Sequence, residues 1–105
     1  MRSYLFIFLC LILVTSAKAQ SVANGKKVSA QCVMCHGDNG ISVIKEAPNI
    51  AGLKAHYIWN QLRDYKAGKR ANEIMNVIAK GLTEENMKDV AAYYSQFDIK
   101  VEPPK

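Results

Sequence analysis

Apolar residues are distributed along this chain in two ways. From Tyr4 to Val14 they are continuous, YLFIFLCLILV, eleven residues without a charge. From Ser21 onward they recur between polar residues at helical spacing. Val22, Ala23, Val28 and Ala30, with Ser21 as N-cap, predict a short helix within 21–31. Gly25 weakens that helix relative to Ala and points to the close approach of another backbone or ring. The stretch 37–52, GDNGISVIKEAPNIAG, is a loop by its Gly, Asn, Asp and Pro content. Ile58, Leu62 and Tyr65, at i, i+4 and i+7 with Trp59 beside them, predict a helix over 54–67 that Gly68 ends. A polar connection, GKRANE, leads to the short apolar run Ile74 to Ala79. Thr83 caps a last helix with Glu84 and Glu85 in its first turn, and Met87, Val90, Ala91, Tyr94 and Phe97 form its stripe. The tail 99–105 is expected to fray. No alternating strand pattern and no repeat appears, so the fold class is all-α with three or four helices.

The continuous run has a different meaning. Arg2 precedes it and Thr15-Ser16-Ala17-Lys18-Ala19 follows, the three parts of a cleavable secretory signal peptide over 1–19. Eleven helical residues cover only about half of a bilayer's hydrocarbon core, which argues against a stable span. Cys10 lies between Leu9 and Leu11 and reads as an apolar filler of the leader rather than a lipidation site. The remaining residues, 20–105, form one domain. Taking Arg2 and Lys18 from the 14 basic residues leaves 12 against 9 acidic ones, a net +3. That balance is too weak, and too free of interleaved aromatics, for nucleic acid. A domain of this size has a marginal core and usually needs a disulfide, a metal or a cofactor.

Cys32-Val33-Met34-Cys35-His36 supplies the candidate. C-x-x-C-H is the attachment sequence of c-type haem. Two thiols one helical turn apart can each add to one haem vinyl group, and the adjacent imidazole reaches the iron from the same side. Zinc would need four ligands, and beyond these residues only His56 remains, 20 residues on, as a poorly spaced partner. A thioredoxin-like pair would need a βαβ setting, and a disulfide across two residues would close a trivially small loop. For the iron's sixth position, Met34 points from between the cysteines and Met87 sits on a helix stripe as core filler. Met75 follows a polar loop with no such stripe and is preferred. His56 reads as a solvated or capping residue, although bis-His ligation would require it. An open sixth position would require Met75 to be absent or displaced.

The motif Cys32 to Gly40, CVMCHGDNG, resembles that of small bacterial class I cytochromes c. Pro48-Asn49-Ile50-Ala51-Gly52, Tyr57, Gln61-Leu62, Gly68-Lys69-Arg70, Met75, Ile78-Ala79, Leu82 to Glu85 and Ala91 to Tyr93 resemble the cytochrome c4/c553 branch. The resemblance implies a class I cytochrome c fold of three to four helices around one covalently bound haem. Cys32 and Cys35 would carry the thioethers, and His36 and Met75 would ligate the iron. The Pro48 carbonyl would accept the proton-bearing nitrogen of His36. Gly25 and Tyr93 match the pair at the crossing of the first and last helices. Cytochrome c4 proper has two haem domains and this sequence has one motif. Leu53 replaces a common Gln, and the extra cysteine pair of some cytochromes c5 is missing.

The implied function is periplasmic transfer of single electrons by a monomeric carrier, not an enzyme. The alternative is a small haem-relay subunit of a periplasmic oxidoreductase, and a ligand-binding haem sensor is a third class. Lys26, Lys27, Lys66, Lys69 and Arg70 suggest a basic rim for an acidic redox partner. An oxidase, a peroxidase, a bc1-type membrane complex or a dehydrogenase would all fit.

Overall fold

The computed structural model describes residues 20–105, so the expected leader over 1–19 lies outside the described residues. Five helices follow one another: α1 Val22–Val28, α2 Val33–His36, α3 Ala55–Ala67, α4 Glu73–Lys80 and α5 Glu84–Ser95. A 3-10 turn, Ser29–Gln31, joins α1 to α2. No strand occurs among the described residues. The expected first helix is thus divided, because Cys32 at φ −96° starts a new turn that carries the haem motif. This short α2 accounts for five helices where the pattern gave three or four.

The helix ends follow from local chemistry. The Ser21 and Thr83 side chains accept the Asn24 and Asn86 amides, as their capping roles predict. Gly68 ends α3 in the left-handed conformation. Asn72 caps α4 by accepting from the Ile74 and Met75 amides, a role hidden in the sequence within a polar connection.

The core lies between α3 and α5. Ile58 and Leu62 meet Met87, Val90, Ala91 and Tyr94, with Leu82 closing the α4–α5 corner. Met87 is a core residue, as its stripe position implied. Phe97 lies beyond the last turn of α5 yet still packs on this core, and Leu53 does the same from the loop before α3.

α1 crosses α5 at Gly25. A Cβ there would lie 2.0 Å from the Asp89 carbonyl oxygen and 2.8 Å from the Tyr93 Cβ. Only the absence of a side chain permits this approach, which accounts for a helix-weakening glycine inside α1. Buried Asp89 pins the crossing by accepting from the Ser21 amide and the Asn24 Nδ2, each at 2.7 Å. On the outer face Trp59 donates to Glu84 at 2.8 Å, with Arg63 and Lys88 over its ring. In the tail, residues 98–105 form no helix and are exposed, although Ile99 rests against Gly52.

Candidate functional site

α2 is one turn long, so Cys32, Cys35 and His36 share a single stretch of backbone. The His36 amide donates to the Cys32 carbonyl at 2.9 Å, which closes the turn. Both thiols are free and partly buried, whereas Met34 between them is exposed. Neither thiol is tied up in a disulfide, so each is available for separate chemistry.

The loop 37–52 holds the opposite wall. It is clasped at its base, where the Gly40 carbonyl accepts the Ile50 and Ala51 amides at 2.8 and 3.0 Å. Gly40 adopts φ +77°, and a Cβ there would meet the Ala51 nitrogen at 2.8 Å, so the clasp requires glycine. Ser42 ties the loop back to α2 by donating to the Cys35 carbonyl at 3.1 Å, and its amide donates to Asn49 at 2.7 Å.

These ties bring the Pro48 carbonyl under the buried His36 ring. Nδ1–H of His36 donates to that oxygen at 2.8 Å. In the neutral ring this bond selects the tautomer with the proton on Nδ1 and the lone pair on Nε2. A proline has no amide hydrogen to compete for a partner, and its restricted φ stiffens the segment that presents the carbonyl.

Met75 arrives from another direction, in the first turn of α4. Asn72 accepts its amide at 2.9 Å. Next to it, the Asn76 Nδ2 donates to the Tyr65 and Arg70 carbonyls, both at 2.8 Å, and so fastens α4 to the end of α3. Met75 and Cys32 both pack against the α3–α5 core. His56 is exposed on the first turn of α3, where its ring meets Trp59 edge-on and Asn60 at 3.1 Å.

The donor set fits haem c. Two free thiols, an imidazole with one nitrogen committed to a carbonyl, and a half-buried thioether supply the attachment and ligation chemistry of that group. Exposed apolar residues concentrate on the same segments: Met34 in α2, Ile41, Val43 and Ile44 in the loop, and Ile74 and Val77 in α4. Among the described residues no three of His, Cys, Asp or Glu gather as a metal site would require, which disfavours the zinc alternative.

The cytochrome c family model matches residues 22–97. The chain belongs to the cytochrome c family. Haem c, one group with its iron, is attached covalently through Cys32 and Cys35. Cytochrome c4 of Thiocapsa roseopersicina is 41% identical over 73 residues, covering 70% of this chain and 38% of that protein. Cytochrome c-554(548) of Halomonas halodenitrificans is 35% identical over 80 residues, which is 73% of this chain and 96% of the relative. In three dimensions the fold superimposes on the cytochrome c4 of Acidithiobacillus ferrooxidans with a TM-score of 0.70 at 36% identity. That match covers 79% of this chain and 53% of the other. The chain therefore spans less than half of one curated cytochrome c4 and nearly all of a shorter relative.

Two polar residues that matter here were not singled out in the sequence: Asn72 and Asn76. The signal for Asn72 was an N-cap residue type one residue before Glu73 and the run from Ile74, concealed by the polar composition of the connection, whereas Asn76 lies inside that run.

Proposed function

We propose that this cytochrome c carries single electrons in the periplasm, with His36 and Met75 as axial ligands of the haem iron. The observation that carries the reading is the 2.8 Å bond from His36 Nδ1 to the Pro48 carbonyl, on a ring adjoining the two attachment cysteines. Haem c supplies a reversible one-electron iron couple when bound. Everything else is positioning. Pro48 orients the imidazole and makes it a better ligand. Asn72 and Asn76 hold the backbone around Met75, which would keep the thioether in place as the iron changes oxidation state. A soft, neutral thioether favours ferrous iron and raises the reduction potential. With His36 and Met75 both committed to the iron, no position would be left there for a substrate.

The leader over 1–19, cleaved after Ala19, would deliver the chain to the periplasm. Among the described residues no helix is long and apolar enough to cross a membrane. The basic residues fall into two groups in the chain, Lys26 and Lys27 on α1 and Lys66, Lys69 and Arg70 at the α3–α4 corner. In the second group Lys66 donates to the Leu82 carbonyl and Arg70 lies 4.7 Å from the Tyr65 ring centre. Docking charge there is consequently carried by side chains that also hold the fold.

Visible spectra of the exported holoprotein, oxidised and dithionite-reduced, test the ligation. The weak red methionine-to-iron charge-transfer band is expected in the oxidised protein and is lost in Met75→Ala. A band that survives the substitution would remove Met75 from the iron and promote His56 or an open sixth position. A partner-free monomer on gel filtration is expected for a mobile carrier, whereas stoichiometric co-purification with an oxidoreductase would establish the relay alternative.

A further inference from the structure

The core contains one polar atom that the fold does not use. Tyr94 is fully buried in α5, and its hydroxyl is the buried side-chain oxygen or nitrogen without a hydrogen-bond partner among the described residues. A buried, unpaired hydroxyl is destabilising, so its retention calls for a partner. The ring cannot swing away to find one elsewhere. It packs against Tyr93 at 5.1 Å and Phe97 at 6.2 Å between ring centres, and the Tyr94 carbonyl accepts the Gly52 amide at 2.9 Å.

Cys32 packs on the core cluster that contains Tyr94, and the polar side chains that act on the hydroxyl are those of Ser29 and Cys32. Ser29 is buried and already donates its own proton to the Lys26 carbonyl at 2.6 Å, so towards Tyr94 it can only accept. Cys32 has a thiol proton before attachment. When its S–H adds across a vinyl group, sulfur bonds to one vinyl carbon and hydrogen to the other, and the resulting thioether has no proton to donate. Tyr94 then holds the only hydrogen available among the three heteroatoms. Burial is the main cause that pushes the phenol well above its ordinary pKa, and it persists once Cys32 is a thioether; burial pushes the free Cys32 thiol up as well. The phenol therefore remains a donor throughout the accessible pH range.

We infer that Tyr94 is a positioning residue for the haem, its hydroxyl donating to the Cys32 sulfur and polarising that thioether. The inference rests on attachment at Cys32 and is independent of which residue fills the sixth position. A donor dipole with its positive end towards the macrocycle favours the electron-richer ferrous state, so the hydroxyl raises the potential.

The test compares holoproteins carrying Tyr94→Phe and Ser29→Ala with the unsubstituted protein, all made with competent haem-attachment machinery. Pyridine haemochrome spectra first count thioethers, so that a failure of attachment is recognised separately from a failure of the inference. Far-UV circular dichroism establishes that each variant is folded. In Tyr94→Phe the equilibrium constant for reduction is expected to fall about threefold, about 28 mV at 59 mV per decade for one electron. The haem–cysteine C–S vibration in resonance Raman spectra is expected to shift with it. Ser29→Ala, which removes the competing acceptor, is expected to leave the potential equal or slightly higher. An unchanged potential and unchanged C–S vibration in folded Tyr94→Phe would overturn the proposal. So would a C–S vibration that moves in Ser29→Ala but not in Tyr94→Phe.

Discussion

The crossing of α1 with α5 and the region made of α2, the 37–52 loop and α4 are built on opposite principles. At the crossing, backbone meets backbone through Gly25, and buried Asp89 spends its two oxygens on Ser21 and Asn24. This region is complete by itself. The second region buries one imidazole against one carbonyl and leaves Val43, Val77 and Met34 exposed at 68%, 69% and 82%. Apolar surface of that extent favours being covered, at about 25 cal/mol per Å². Covalent haem covers such surface, and the attachment residues lie in the same region. One part of the molecule is held by polypeptide, the other by polypeptide around a cofactor.

The largest effect is expected where the self-sufficient region tolerates least. Gly25→Val places atoms inside the Asp89 carbonyl contact, and overpacking against rigid backbone is expected at the upper end of its usual range, about 3 kcal/mol. Thermal unfolding of the holoprotein should show a large fall in Tm, and a change of only a degree or two would mean that α1 can move off α5 freely.

Haem removal should divide the molecule along the same line. In a Cys32→Ala/Cys35→Ala double variant, amides of α2, the loop and α4 should exchange with solvent much faster than those of α5. Uniform exchange in all of these elements would show that the two regions are not separable.

Asp89→Ala is intermediate. It leaves the Ser21 amide and the Asn24 side chain short of a partner, at about 1–3 kcal/mol by denaturant unfolding. The loss should be nearly independent of haem oxidation state, because the residue serves the self-sufficient region. The smallest effect is expected from Glu84→Gln, which weakens an ion pair with Arg63 at 3.7 Å between half-exposed side chains, about 0.5 kcal/mol or less. Its loss should be hard to detect in high salt.

How much was visible beforehand depended on distance along the chain. The haem motif spans five residues, and the caps at Ser21 and Thr83 act within three, so short-range pattern sufficed. Met87 could be assigned to the core because it shares a helix stripe with Val90, Ala91 and Tyr94. The division of the first helix was not legible, since nothing in Ser29-Ala30-Gln31 forbids continuing it. The Asn72 cap was obscured by the polar residues around it. The Pro48 contact came from family resemblance, because no local rule links a loop carbonyl to a histidine 12 residues earlier.

Sequence alone determined the helical class, the haem-attachment spacing of Cys32 and Cys35, and the need for something besides a small apolar core. These follow from residue type and short spacing, which act before the chain has any tertiary form. Only the tertiary structure decided that Asp89 would be a buried acceptor, that Gly25 would face a backbone carbonyl, and that the Tyr94 hydroxyl would lie unpaired beside Cys32. Each is a meeting of groups 60 or more residues apart in the chain, except that α5 brings Asp89 and Tyr94 in together. Periodicity shows which side of a helix is apolar. It does not show which neighbour that side will meet, and burial or pairing of a polar atom depends on that neighbour alone.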